Sequence, residues 1–192
     1  MRIIGFTWEY PRIRSPLTDL QYLVLAISSA LRALGHEVVI VTQGNAQAPD
    51  FDSVKVINVD LPIKDYPNVV SYGLSSSIQV IANMRYRVNG EFDKVICFEW
   101  GGCVMGLLAK ATQPCCLNAE VDCVALSTEY ERGDPDGNII SSSIASIEGW
   151  VFRQCDRVYG LKQRTVDDFK NRFNISASYV PTIDELARVM AR

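Results

Sequence analysis

The sequence contains a single histidine, His36, and its six cysteines form no Cys-x-x-Cys pair. That spacing leaves little scope for a zinc cluster. Cys97, Cys103, Cys115, Cys116, Cys123 and Cys155 lie mostly in apolar runs and read as free, buried, reduced thiols. A disulfide or a reactive thiol is the alternative. No apolar run approaches the ~20 residues that span a bilayer. The amino terminus opens directly on a strand-like run, so no signal peptide is expected and the chain reads as cytoplasmic. No Gly-x-Gly-x-x-Gly follows the first strand, and the second ends Thr42-Gln43-Gly44 without an acid, which argues against a dinucleotide oxidoreductase. No Gly-x-Ser-x-Gly is present and His36 sits at a helix-to-strand boundary, which argues against a serine hydrolase. A net charge of −3 argues against broad binding to nucleic acid or acidic membranes. There are no internal repeats and no low-complexity tract.

What is present is an α/β pattern. The 192 residues, 48% hydrophobic and 21% charged, suit one globular domain that needs no staple to fold. Arg2 to Phe6 is a short apolar run of the kind that forms a buried strand. Thr7 to Pro16 is a loop, because Pro11 and Pro16 forbid regular structure there. From Leu17 the period changes. Leu17, Leu20, Val24, Ile27, Leu31 and Leu34 recur at steps of three and four, laying one apolar stripe along a helix that Gly35 ends. Glu37 to Thr42 is a second apolar run. This is a βαβ unit, whose crossover should be right-handed with parallel strands. The loop after the first strand then lies at the carboxyl edge of the sheet, where open α/β folds bind ligands.

The same alternation continues. Val54 to Val59 is expected to be a strand, and Leu74 to Val88 a helix capped by Ser75, Ser76 or Ser77. A strand from Asp93 to Phe98 and a helix from Cys103 to Ala111, opened by Gly101 and Gly102, should follow. Pro114 to Asn118 reads as the next strand. Ser141 to Gln154 is a helix, Asp156 to Leu161 a strand and Thr165 to Phe173 a helix. The fold expected is a doubly wound parallel sheet flanked by helices, a Rossmann-like domain over residues 1–182 with a short helical tail over 183–192.

Several motifs carry a resemblance. Trp8-Glu9-Tyr10-Pro11, a basic loop, the long apolar helix and Leu34 to Thr42 come first. Phe98-Glu99-Trp100 stands where a His-Asp-Trp would be. Leu126-Ser127-Thr128-Glu129-Tyr130-Glu131-Arg132 agrees at five of seven positions with His-Ser-Thr-Glu-Tyr-Gly-Arg. Asp156-Arg157-Val158 and the Tyr179-Val180-Pro181 tail complete the set. Together they resemble the amino-terminal domain of retaining glycosyltransferases of the glycogen and starch synthase type, whose GT-B architecture has two Rossmann-like domains.

The resemblance implies transfer of a sugar from a nucleotide sugar to a glycan in a cleft between domains, with no metal or other cofactor. It places Trp8, Glu9, Arg12, Arg14, Ser15, Glu99, Trp100, Gly101, Glu129 and Tyr130 on this wall of the cleft. It assigns no catalytic residue to this half. The family's Gly-Gly-Leu turn, which brings backbone N–H groups to the donor phosphates, is Ser15-Pro16-Leu17 here. Leu126 replaces the histidine beside the transferred sugar, and leucine cannot donate a hydrogen bond to it. The resemblance covers only the first half of the family enzyme. Two expectations result. The chain is an acceptor-side half that needs a donor domain not present in these residues, on another polypeptide or otherwise, or it is an inactive sugar- or nucleotide-binding regulatory domain that docks on a partner or dimerises.

Overall fold

The computed structural model describes residues 1–10, 16–44, 54–61 and 65–192. Among the described residues, seven strands form one sheet: β1 (Arg2–Thr7), β2 (Glu37–Gln43), β3 (Lys55–Val59), β4 (Lys94–Phe98), β5 (Glu120–Ala125), β6 (Arg157–Gly160) and β7 (Ser178–Tyr179). Their spatial order is β3-β2-β1-β4-β5-β6-β7 and every pair is parallel. The order reverses between β1 and β4, so the topological switch point lies there. The helices are α1 (Asp19–Ala33), α2 (Val69–Met84), α3 (Glu99–Thr112), the single turn α4 (Glu129–Arg132), α5 (Ile139–Arg153), α6 (Gln163–Phe173) and α7 (Ile183–Met190). This is the Rossmann-like, doubly wound arrangement expected.

Strand residues alternate between two cores, as a period of two requires. Ile4, Phe6, Val39, Val41, Val95, Cys97, Val121 and Cys123 face α2, α3, α5 and α6. Ile3, Val38, Ile40, Ile96, Phe98 and Val124 face α1 and α7. Leu23, Val24, Ile27 and Leu31 supply the buried stripe of α1, while Leu17 and Leu34 at its ends stay exposed. Thr18 caps α1, its side chain accepting from Gln21 N–H at 3.2 Å. On the same face, Leu186, Ala187 and Met190 of α7 are buried.

One buried ion pair ties α7 to the sheet. Lys94 Nζ lies 3.1 Å from Asp122 Oδ2, on the neighbouring strand, and donates at 2.7 Å to the carbonyl of Met190. An ammonium at a helix carboxyl end meets the negative end of its dipole. Burial raises the Asp122 pKa, and Lys94 opposes that rise.

The starts of the fifth strand, of α2 and of α3 differ most from the sequence reading. The fifth strand is Glu120–Ala125, and Pro114–Cys116 is a 3₁₀ turn instead. Proline fixes φ and lacks a donor, so it suits the start of a turn better than a central strand. Helix α2 starts at Val69, where Asn68 accepts from Ser71 N–H at 2.9 Å. Ser76 and Ser77 are therefore interior, buried, and bonded to the carbonyl of Gly73, and Ile78 faces solvent. Helix α3 starts at Glu99, so Gly101 and Gly102 lie in its first turn. A Cβ on Gly102 would stand 2.3 Å from the Phe6 carbonyl oxygen, and one on Gly101 would stand 2.1 Å from the Trp8 ring. These glycines let α3 press against β1.

Candidate functional site

A cleft of about 650 Å³ opens at the carboxyl rim of the sheet across the switch point. Trp8 and Glu9 reach it from the end of β1, and Phe98 and Glu99 from the end of β4. Leu126 and Ser127 reach it from the end of β5, and Leu161 and Lys162 from the end of β6. Thr18, which caps α1, and Asp19 and Tyr22 of α1 line the other side. Its size lies within the roughly 300–1,000 Å³ of small-molecule sites.

Glu99 is the most constrained residue there. Its φ is +58°, in the left-handed region where a non-glycine residue costs about 1–3 kcal/mol. That backbone turns the strand directly into α3 and aims the carboxylate across to β5. Oε1 accepts from Leu126 N–H at 2.5 Å, and Oε2 pairs with Arg132 Nη1 at 2.9 Å.

Arg132 organises the rest. Nη1 also donates to the Ser127 carbonyl at 2.8 Å and to Ser127 Oγ at 3.0 Å. Nη2 reaches Glu148 Oε1 on α5 at 2.5 Å and Glu129 Oε2 at 3.5 Å. Glu129 N–H donates to Glu148 Oε2 at 2.7 Å, and Ser141 Oγ donates to Glu129 Oε1 at 2.6 Å. One guanidinium thus faces three carboxyl groups, and its five donors in a planar fork suit that task. Burial pushes Glu148 up to about 8, with Arg132 opposing the shift. Burial also raises Glu99, again against Arg132. Burial acts to lower the Arg132 pKa, but Glu99, Glu148 and Glu129 outweigh it and the pKa rises.

Glu131 has a different role. Its Oε2 accepts from Thr128 N–H at 3.0 Å and from Thr165 Oγ1 of α6 at 2.7 Å. Thr128 Oγ1 donates to Asp168 of α6 at 2.8 Å. The acid that stands in place of the resembled family's glycine thus bridges α4 to α6.

Of the residues expected at the site, Trp8, Glu9, Glu99, Trp100, Gly101 and Glu129 line the cleft. Trp100 is only 6% exposed and meets Trp8 edge-on, with ring centroids 4.3 Å apart. Glu9 Oε2 accepts from Thr18 Oγ1 at 2.7 Å, so it braces the start of α1 from an exposed position. Tyr130 does not line the cleft; its ring packs against Phe173 and lies 4.2 Å beneath the Arg172 guanidinium. Arg12, Arg14 and Ser15 lie outside the described residues.

Sequence reasoning missed Glu148 and the central place of Arg132. A signal for Glu148 existed, since it interrupts the apolar stripe Ile144, Val151, Phe152 on α5. An acid on an apolar stripe needs a partner. Chemically, the cleft offers hydroxyl, acidic and cationic groups at its mouth and aromatic and aliphatic surface inside. Glu99 and Glu129 are held by Arg132 and by backbone or hydroxyl donors.

The chain matches no protein-family model and no curated protein in sequence. It is similar in structure to GT-B glycosyltransferases. Sucrose-phosphate synthase from Thermosynechococcus elongatus aligns with a TM-score of 0.72 at 11% identity, over 94% of this chain and 47% of that one. The lipopolysaccharide outer core galactosyltransferase WaaB aligns at 0.56 and 9% identity, over 92% and 43%. MurG of Acinetobacter baumannii aligns at 0.52 and 12% identity, over 93% and 43%. The chain therefore has the Rossmann-like fold of a GT-B domain and spans about half the length of these proteins. No helix among the described residues is long and apolar enough to cross a membrane.

Proposed function

We propose that the chain is the acceptor-side half of a glycogen synthase-like glycosyltransferase. It binds the sugar or glycan that receives a hexosyl group from a nucleotide sugar, and a donor domain outside these residues completes the site. The observation that supports this most is the position of the cleft. It straddles the β1/β4 switch point at the carboxyl rim, where doubly wound folds take ligands. Holding acceptor and donor together in one enclosed place accounts for much of the rate of such a transfer. This half contributes position: Trp8 and Leu126 as apolar surface, Asp19, Tyr22 and Lys162 as polar contacts, and Arg132 as a fixed cation behind them.

A second reading has its own support. Leu126 offers no hydrogen bond from its side chain where a transferred sugar would lie, and the nearby carboxyl groups are tied to Arg132. The domain would then bind a sugar or nucleotide and act on a partner without performing transfer.

Binding separates these readings from neither being right. The purified chain would be titrated with an α-glucan oligosaccharide, a hexose phosphate, UDP-glucose and ADP-glucose, following tryptophan fluorescence and thermal stability. The acceptor-side reading expects the oligosaccharide or hexose phosphate to bind, with the signal reduced in Trp8→Phe. A ligand at ~100 times its Kd should stabilise the fold by about 2.7 kcal/mol. Transfer on adding a separately produced donor domain supports the enzyme half. Binding without transfer supports the regulatory reading, and no binding by any of the four overturns both.

A further inference from the structure

Three cysteines far apart in sequence meet in one place. Cys103 is on α3, Cys123 on β5 and Cys155 in the turn after α5, and their sulfur atoms all lie within 4.8 Å of one another. We propose that Cys103, Cys123 and Cys155 form a binding site for a thiophilic divalent ion of the zinc and cadmium class.

The geometry is close to what such an ion needs. Zinc–sulfur bonds of about 2.3 Å put tetrahedrally arranged sulfurs about 3.8 Å apart. Cys103 and Cys155 have their sulfurs 3.9 Å apart. Cys103 Sγ donates to Cys123 Sγ at 2.9 Å, closer than the ~3.8 Å that ligands of one tetrahedral ion would take. An ion seated between them would draw that pair apart by about 1 Å while keeping the third sulfur in place. Gly102 and Gly106 bring α3 so close to β1 and β4 that a Cβ on either would stand 2.3 Å from its neighbour. Cys103 lies between them in sequence, on the helix that they hold close to the sheet.

Ligand chemistry selects the class of ion. The site offers only sulfur, which favours soft ions over magnesium or calcium. Charge then favours a divalent over a monovalent ion, because three thiolates around a single positive charge leave more uncompensated charge in a buried place. Cys103 and Cys123 are fully buried, whereas Cys155 is half-buried. Cys155 therefore marks both the entry path and the side on which water can complete four-coordination, as in sites with three protein ligands. The sulfur pair of Cys115 and Cys116, 3.6 Å apart, belongs to no such three-donor group among the described residues and serves as an internal control.

The test is a cadmium titration of the reduced, metal-free full chain, read by the ultraviolet cadmium–thiolate charge-transfer band. The expected result is saturation at one ion per chain, unchanged in Cys116→Ser. Cys155→Ser should weaken binding by more than the about 10–100-fold that follows loss of an outer-shell partner. Its half-buried position allows that variant to fold, which circular dichroism checks. No band, or a band that survives Cys155→Ser, overturns the site. So does a Cys103–Cys123 disulfide that forms in air at the same rate with and without added zinc.

Discussion

The Arg132 guanidinium reaches from the single turn α4 to the fully buried Glu148 of α5 and, with its other nitrogen, to Glu99 at the end of β4. One cation thus holds together three elements that meet at the cleft.

Removing that cation should be costly. Arg132→Met leaves Glu99, Glu129 and Glu148 facing one another, and loss of one partner of a buried pair costs about 3–5 kcal/mol. Arg132 is half-exposed, so the loss is expected near the lower end of that range. Arg132→Lys should recover only a minor part, because an ammonium cannot span Glu99, Ser127 and Glu148 at once. Urea denaturation of the three proteins measures this.

Glu148 sets a pH dependence. Its folded pKa, about 8, lies above the ordinary 4.5, so the folded state binds the proton more tightly than the unfolded chain does. Its contribution is fully present below about pH 4.5 and is lost as pH rises through 8. Glu148→Gln, always neutral, should lose this slope. The difference in unfolding free energy between the two proteins should shift by a few kcal/mol in favour of the variant from pH 5 to pH 9. Parallel curves would remove Glu148 as the source.

The buried pair Lys94–Asp122 should behave as a unit. Lys94→Met strands the carboxylate of Asp122 and the carbonyl of Met190, at a cost of about 3–5 kcal/mol. Pairing it with Asp122→Leu should return most of that loss, since the replaced pair leaves no lone charge. Limited proteolysis should find α7 loosened in both variants, because each lacks the Lys94 bond to the Met190 carbonyl.

Gly102→Ala tests the contact between α3 and β1. The added methyl meets backbone, which cannot swing aside as a side chain would. Overpacking of this kind costs about 1–3 kcal/mol. That corresponds to a fall in Tm of about 2–12 °C for a domain of this size, read by calorimetry.

The layer pattern was legible in the sequence because burial on both faces of a parallel sheet leaves continuous apolar runs, and Val24, Ile27 and Leu31 of the stripe read for α1 are buried. The fifth strand was not, because Cys115, Cys116 and Leu117 are as apolar as a strand while Pro114 makes them a turn. Serine misled at α2: it favours caps, yet Ser76 and Ser77 satisfy themselves on the Gly73 carbonyl and face inward. At the cleft, Glu99 and Glu129 stood out through the resemblance. Arg132 and Glu148 are 16 positions apart and meet only through the packing of α4 on α5. The cysteine trio is further still from being readable, since Cys103 and Cys155 are 52 positions apart.

The sheet closes on one side with β7, which is only Ser178 and Tyr179. Two residues present too few unpaired backbone groups to recruit an extended segment from another molecule, so growth of a fibre by strand addition finds almost no template on that side. A concentrated solution of the folded protein should accordingly resist edge-to-edge clumping there, and lengthening β7 by design would be the way to make it sticky.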